Sequence, residues 1–169
     1  MRIEYLADNI QYIPILGRSF YNEWGYLKPS TSIKYYETKL KNSINRNVLP
    51  IAFVAMLKDT LMGTISLVKY EMDSLTDITP CIASLYILPE HRKKGVSKLL
   101  INHVIEKVKE LQYSTIYLFT VDKESFYNKY GWSTLENIKY HDQRVVIMSK
   151  KLFYLTHNQF TMFNSLDSN

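Results

Sequence analysis

Arg92, Lys93, Lys94 and Lys98 crowd around Gly95, the densest positive charge in the chain. An apolar run, Ser84 to Leu88, leads into them and stops at Pro89. Val96, Leu99, Leu100, Val104, Val108 and Leu111 then repeat at helical spacing. A strand that enters a helix through a basic, Gly-containing turn suits an anion. The first helical N–H groups have no partner in the helix, and its dipole favours negative charge there. Gly95 lets the backbone approach a ligand that a side chain would hold off. The ligand predicted for Arg92, Lys93, Lys94, Gly95, Val96, Ser97 and Lys98 therefore carries phosphate. Neither G-x-x-x-x-G-K-[ST] nor G-x-G-x-x-G is present, so the usual nucleotide loops do not apply.

Other chemistry-bearing residues are sparser. Cys81 is the single cysteine, which excludes an intrachain disulfide and a cysteine metal cluster. His91, His103, His141 and His157 show no metal-ligand spacing, so no metal is expected. Among the carboxylates, Glu23, Glu71, Asp73 and Asp77 lie near apolar segments or in one polar loop, and Glu23 adjoins Trp24. A carboxylate beside an aromatic ring suits a cationic amine.

The 169 residues make one domain with a real core, at 46% hydrophobic and 22% charged. A net charge of +5 permits nucleic acid, but no continuous basic-aromatic face supports it. No apolar run approaches the roughly 20 residues that span a bilayer, and the start of the chain lacks a signal-peptide layout. These features predict a cytoplasmic protein with neither nucleic acid nor membrane as partner.

The elements that position the chemistry follow in order. Arg2 to Ala7 alternates as a strand, and Asp8 or Asn9 is placed to cap a helix carrying Ile10, Ile13, Leu16, Phe20 and Trp24. Ser32 caps a second helix with Ile33, Tyr36 and Leu40, ending near Asn45. Ile51–Leu57 and Leu61–Tyr70 form a hairpin about Lys58-Asp59-Thr60. Cys81–Leu88 is a central strand, and the helix after the basic turn leads to a buried strand, Thr115–Phe119, parallel to it. Asp122 is predicted to cap a short helix, Lys123–Tyr130, that Gly131 ends. Trp132–Tyr140 and Val145–Leu152 make a last hairpin. The apolar tail, 153–169, suits packing on the core or on a second subunit of a homodimer, with simple disorder as the alternative.

Arg92-Lys93-Lys94-Gly95-Val96-Ser97 resembles R-x-x-G-x-[GA], the pyrophosphate signature of the GNAT superfamily of acetyl-CoA-dependent N-acetyltransferases, with Ser97 in the last place. Phe126-Tyr127-Asn128-Lys129-Tyr130-Gly131-Trp132 is similar to the family's F-Y-x-x-x-G-[FW]. The element order is also that family's. The resemblance covers residues 1–152 as one acetyltransferase domain. It implies an α/β (α+β) fold: a mixed, mostly antiparallel central sheet with helices on both faces and one parallel strand pair that splays at the cofactor site. It further implies acetyl transfer from acetyl-CoA to a primary amine, on a small molecule or a protein, through a tetrahedral intermediate. Tyr127 takes the place of the family's general acid. The backbone N–H groups of Leu85, Tyr86 and Ile87 become oxyanion donors that also pair with the pantetheine arm. Glu23, Trp24, Glu71 and His141 are the acceptor-side candidates. The sequence departs from the family at Ser84, where relatives often place an acid, and at Thr120-Val121-Asp122, where many carry Asn. The base therefore stays open among Glu71, Asp73, Glu23 and His141, and a non-catalytic acetyl-CoA-binding regulatory module is the competing reading.

Overall fold

The computed structural model describes residues 1–27, 30–140 and 142–153. The strands are β1 (Arg2–Tyr5), β2 (Ile51–Leu57), β3 (Thr60–Val68), β4 (Cys81–Ile87), β5 (Thr115–Thr120), β6 (Ser133–Tyr140) and β7 (Gln143–Lys151). They form one sheet in the order β1-β2-β3-β4-β5-β7-β6. Every neighbouring pair is antiparallel except β4–β5, as the resemblance implied. The helices are α1 (Ile13–Trp24), α2 (Ile33–Asn42), α3 (Val96–Glu110) and the short α4 (Glu124–Asn128).

Alternation along β2 shows how the sheet is covered on both faces. Ile51, Phe53 and Ala55 pack in one core with Val96, Leu100, Ile101, Val104 and Val108 of α3. Ala52, Val54 and Met56 pack in another with Leu16 and Phe20 of α1 and Tyr36 and Leu40 of α2. Two-residue periodicity sends successive side chains to opposite faces, so an all-apolar strand joins both layers. Each fully buried aliphatic side chain contributes about 1.5–3 kcal/mol.

Local physics moved several predicted boundaries. α1 begins at Ile13, after two short 3-10 turns, with Pro14 in its first turn, where a missing N–H costs nothing. Asn9 does not cap it, because its side-chain amide donates to Glu4 Oε2 (2.8 Å) and to the Tyr5 carbonyl. Asp8 pairs with Arg46 instead, and Ile10 is exposed. Ser32 does cap α2, accepting from the Tyr35 N–H at 3.2 Å, and α2 ends at Asn42. Asp122 does not cap α4; it pairs with Lys123, while Thr120 Oγ1 accepts from the Lys123 N–H at 3.0 Å. α4 is correspondingly shorter than the predicted 123–130. Leu99 of α3 is exposed. β5 is buried on one face alone: Ile116, Leu118 and Thr120 are buried, and the residues between them are half-buried.

β6 is one edge strand of the sheet, β1 being the other, and seven of the eight residues of β6 are exposed. Residues 154–169 lie outside the described residues, and the predicted packing of the tail with them. Among the described residues no helix is long and apolar enough to cross a membrane.

Candidate active site

The site grows from a place where the sheet opens. β4 and β5 pair at Cys81↔Tyr117 and Ile82↔Leu118 and at no later residue. From Ala83 onward the β4 edge facing β5 has no ladder partner among the described residues. On its other edge β4 stays paired with β3, but the register shifts between Ser66↔Ala83 and Thr64↔Tyr86. Ser84 lies inside that shift with φ +51°. A left-handed non-glycine residue in a strand marks a bulge, which turns the following backbone groups to a new direction. Gly63 permits the tight approach of β3 here, since a Cβ on it would lie 2.6 Å from the Tyr86 carbonyl oxygen.

β4 ends in a short 3-10 turn, Pro89–His91, and then the basic turn. Lys93 (φ +61°) and Gly95 (φ +79°) are both left-handed, with Lys94 between them. Such coiling gathers backbone N–H groups into an anion-binding concavity, here at the start of α3. A Cβ placed on Gly95 would meet nothing within 4 Å, so space is open above the turn. The residues present thus fit a phosphate group: donors, positive charge and room coincide. Arg92 is occupied differently from expectation. Its Nε donates to the Ile87 carbonyl (3.1 Å), its guanidinium reaches Glu23 Oε2 (3.2 Å), and it lies over the Tyr86 ring. Lys94 Nζ donates to the Glu90 carbonyl at 2.8 Å.

Arg92 thereby ties the turn to the end of α1. Tyr86 packs edge-on against Trp24 and Phe20, with ring centroids 6.0 Å away in both cases. Glu23 and Trp24 therefore sit at the Ile87 end of β4. On the opposite face Tyr127 packs between Phe126 and Trp132. Burial, and then the Asp122 charge, pushes its phenol up to about 12. The Cys81 thiol is also pushed up to about 12, by burial first and Glu71 second, and donates to the Ile78 carbonyl.

The family model described as "Acetyltransferase (GNAT) family" matches residues 15–132, which contain the opened strand pair, the turn and Tyr127. The chain belongs to the GNAT acetyltransferase family. Membership makes it an acyltransferase. Similar solved structures include an aminoglycoside 6'-acetyltransferase type Ii (20% identity, TM-score 0.72, 92% of this chain and 100% of that one). An aminoglycoside 6'-N-acetyltransferase complexed with coenzyme A is another (18%, TM-score 0.72, 92% and 99%). A third is a ribosomal-protein-alanine N-acetyltransferase from Brucella melitensis (15%, TM-score 0.69, 90% and 100%). At these identities the likeness speaks for the fold. No curated protein matches the chain.

This GNAT protein does not gather its acids into one mouth. Glu71 neighbours Lys39 of α2 and Cys81, at the opposite end of β4 from Glu23. Roughly 20 Å of strand separates those ends. Glu71 is exposed as a residue, yet its carboxyl lies among enough protein that lost hydration raises its pKa, against the pull of the Lys39 ammonium. Asp73 and Asp77 are exposed. His141 lies outside the described residues. Sequence reasoning missed Ser84 as the bulge, Gly63 as the point of close approach, and the engagement of Arg92 with Glu23. For Gly63, a glycine inside an apolar strand was the available signal; for the other two there was none.

Proposed function

We propose that the protein transfers acetyl from acetyl-CoA to a primary amine, on a small molecule or a protein, by direct attack of the amine. The observation that carries this reading is the alignment of two features along one strand. β4 parts from β5 after Ile82, and the same strand runs into the left-handed turn at Gly95. Acetyl-CoA supplies the reactive thioester. The N–H groups at the start of α3, with Lys93 and Lys98, suit its pyrophosphate. The unpaired edge at Leu85, Tyr86 and Ile87 offers N–H donors to amide groups and to a developing oxyanion.

Tyr127 serves as the proton donor to the leaving sulfur. Its phenol, pushed up to about 12, stays neutral across the physiological range. So reluctant an acid donates a hydrogen bond first and releases its proton once negative charge has developed on its partner. Cys81 supports attack without an acetylated enzyme: the one thiol in the chain is buried and held protonated. Glu23, which adjoins Trp24 and pairs with Arg92, is the carboxylate we assign to a cationic amine. The fold is shared with enzymes named for aminoglycosides and for a ribosomal protein, so acceptors of both sizes belong in the screen.

Calorimetry of acetyl-CoA on wild type and Gly95→Glu tests the cofactor reading. Binding that is lost in a folded variant supports it, and a wild type that does not bind overturns it. Turnover with any amine then separates catalysis from binding alone.

A further inference from the structure

A second recess lies along the flank of α3, one to two turns below the basic turn. It is a cavity of about 70 Å³ between α3 and the segment joining α4 to β6. Ile101 and Ile105 give it an apolar wall, and Lys98 and Asn102, four residues apart on α3, stand side by side at its rim. Trp132 and Lys150 close the other side.

We propose that this recess binds a phosphate group, as a phosphate monoester or as inorganic phosphate. Its polar groups are mostly donors, and among the described residues its lining contains two ammonium groups and no carboxylate. Neither Lys98 nor Lys150 makes an ion pair among the described residues. Lys150 is held in place by two neutral carbonyls, of Tyr130 (2.6 Å) and Gly131 (3.5 Å), which orient its charge without cancelling it. An ammonium has three donors, so one remains. The indole N–H of Trp132 is buried, with no acceptor among the described residues, in a residue that is 3% exposed. Buried donors in folded proteins are nearly always paired. A water molecule could accept one such bond, but it would leave the charges of Lys98 and Lys150 without a counterion among the described residues. A dianion with several acceptor oxygens answers both needs.

Two sources supply that chemistry. One is the 3'-phosphate of coenzyme A, and this arm rests on the acetyl-CoA reading above; the other is free phosphate, which does not. The chain has two tryptophans, so an amide-correlation NMR spectrum carries two indole signals, and Trp24→Phe assigns them. Inorganic phosphate is expected to shift the Trp132 indole signal saturably and to leave that of Trp24 in place. Lys150→Met should weaken this binding about tenfold, and Lys98→Met, an exposed helix position, should do the same if the first variant does not fold. Wild type should also bind coenzyme A about tenfold more tightly than 3'-dephospho-coenzyme A, and that ratio should fall to one in Lys98→Met. The ratio cancels any contribution of Lys98 to the pyrophosphate. Phosphate binding with equal affinity for the two cofactors assigns the recess to free phosphate. A Trp132 signal unmoved by millimolar phosphate and by both cofactors overturns the proposal. A protein that responds to phosphate but binds no coenzyme A keeps the recess and loses the acetyl-CoA reading.

Discussion

The two edges of β5 are treated in opposite ways. Along one edge six consecutive pairs join it to β7, from Thr115↔Lys151 to Thr120↔Val146. Along the other, two pairs join it to β4 and then the ladder stops. The fully bonded edge, together with Ile116 and Leu118 in the core, fixes the strand. That support is what lets its other edge stay open. Buried backbone groups require partners, so an opening of this kind belongs to solvent and to a ligand. The bulge at Ser84 and the clearance at Gly63 keep β4 on the β3 side of the gap.

The contrast can be broken most severely from the β3 side. Gly63→Val drives a branched side chain against the Tyr86 carbonyl and the Ile87 side chain. We expect a loss of about 3 kcal/mol in a denaturant titration, together with loss of acetyl-CoA binding. Tyr127→Phe leaves both edges intact and removes the phenol proposed as proton donor. Its kcat should fall about 100-fold with KM for acetyl-CoA nearly unchanged, and an unchanged kcat would remove Tyr127 from the mechanism. Ser84→Val puts a β-branched residue at φ +51°, at an expected cost of about 1–2 kcal/mol in stability, whereas Ser84→Gly should be tolerated. A Ser84→Val protein as stable as wild type would mean that the bulge is not fixed by this residue. Glu23→Gln is the mildest change. Its pair with Arg92 is half exposed, so stability should move by less than about 0.5 kcal/mol, while KM for the amine rises.

Titration gives one further expectation. Folding raises Cys81 from 9.0 and Tyr127 from 10.0, each to about 12. Between those values the folded protein holds protons that the unfolded chain has released, so stability should fall as pH rises from about 9 to about 12. It is constant below that window as far as these two groups are concerned. Thermal melts across the range check the sign, and Cys81→Ala should flatten the lower part of the fall.

What could be read in advance was whatever side-chain type encodes directly. The basic turn, Gly95, the amphipathic stripe of α3 and the F-Y-x-x-x-G-W segment each carry a compositional signature, and each led to the right element. Ser84 carries none: serine is not specialised for a left-handed conformation, and the bulge is imposed by how β3 and β4 must pack. The same holds for Asp122, a good capping residue by type: α4 has no side-chain cap, and Asp122 pairs with Lys123 instead. Arg92 was read from charge and motif as a phosphate ligand; its pairing with Glu23, across 69 residues of sequence, had no signal in residue type. Glu23 and Glu71 were both read as acceptor-side candidates from their charge, and the length of β4 separates them. Local chemistry was legible; the meeting of distant segments was not.

Cys81 has a practical consequence. It stands in the first of the two pairs that join β4 to β5, facing the interior with its proton tightly held. The groups against its thiol, Ile78 and Glu71, belong to the loop before β4, so a reagent can reach it only when the protein opens around it. The rate of labelling in native buffer therefore clocks that local opening, with no engineered probe and no second cysteine to confuse the signal.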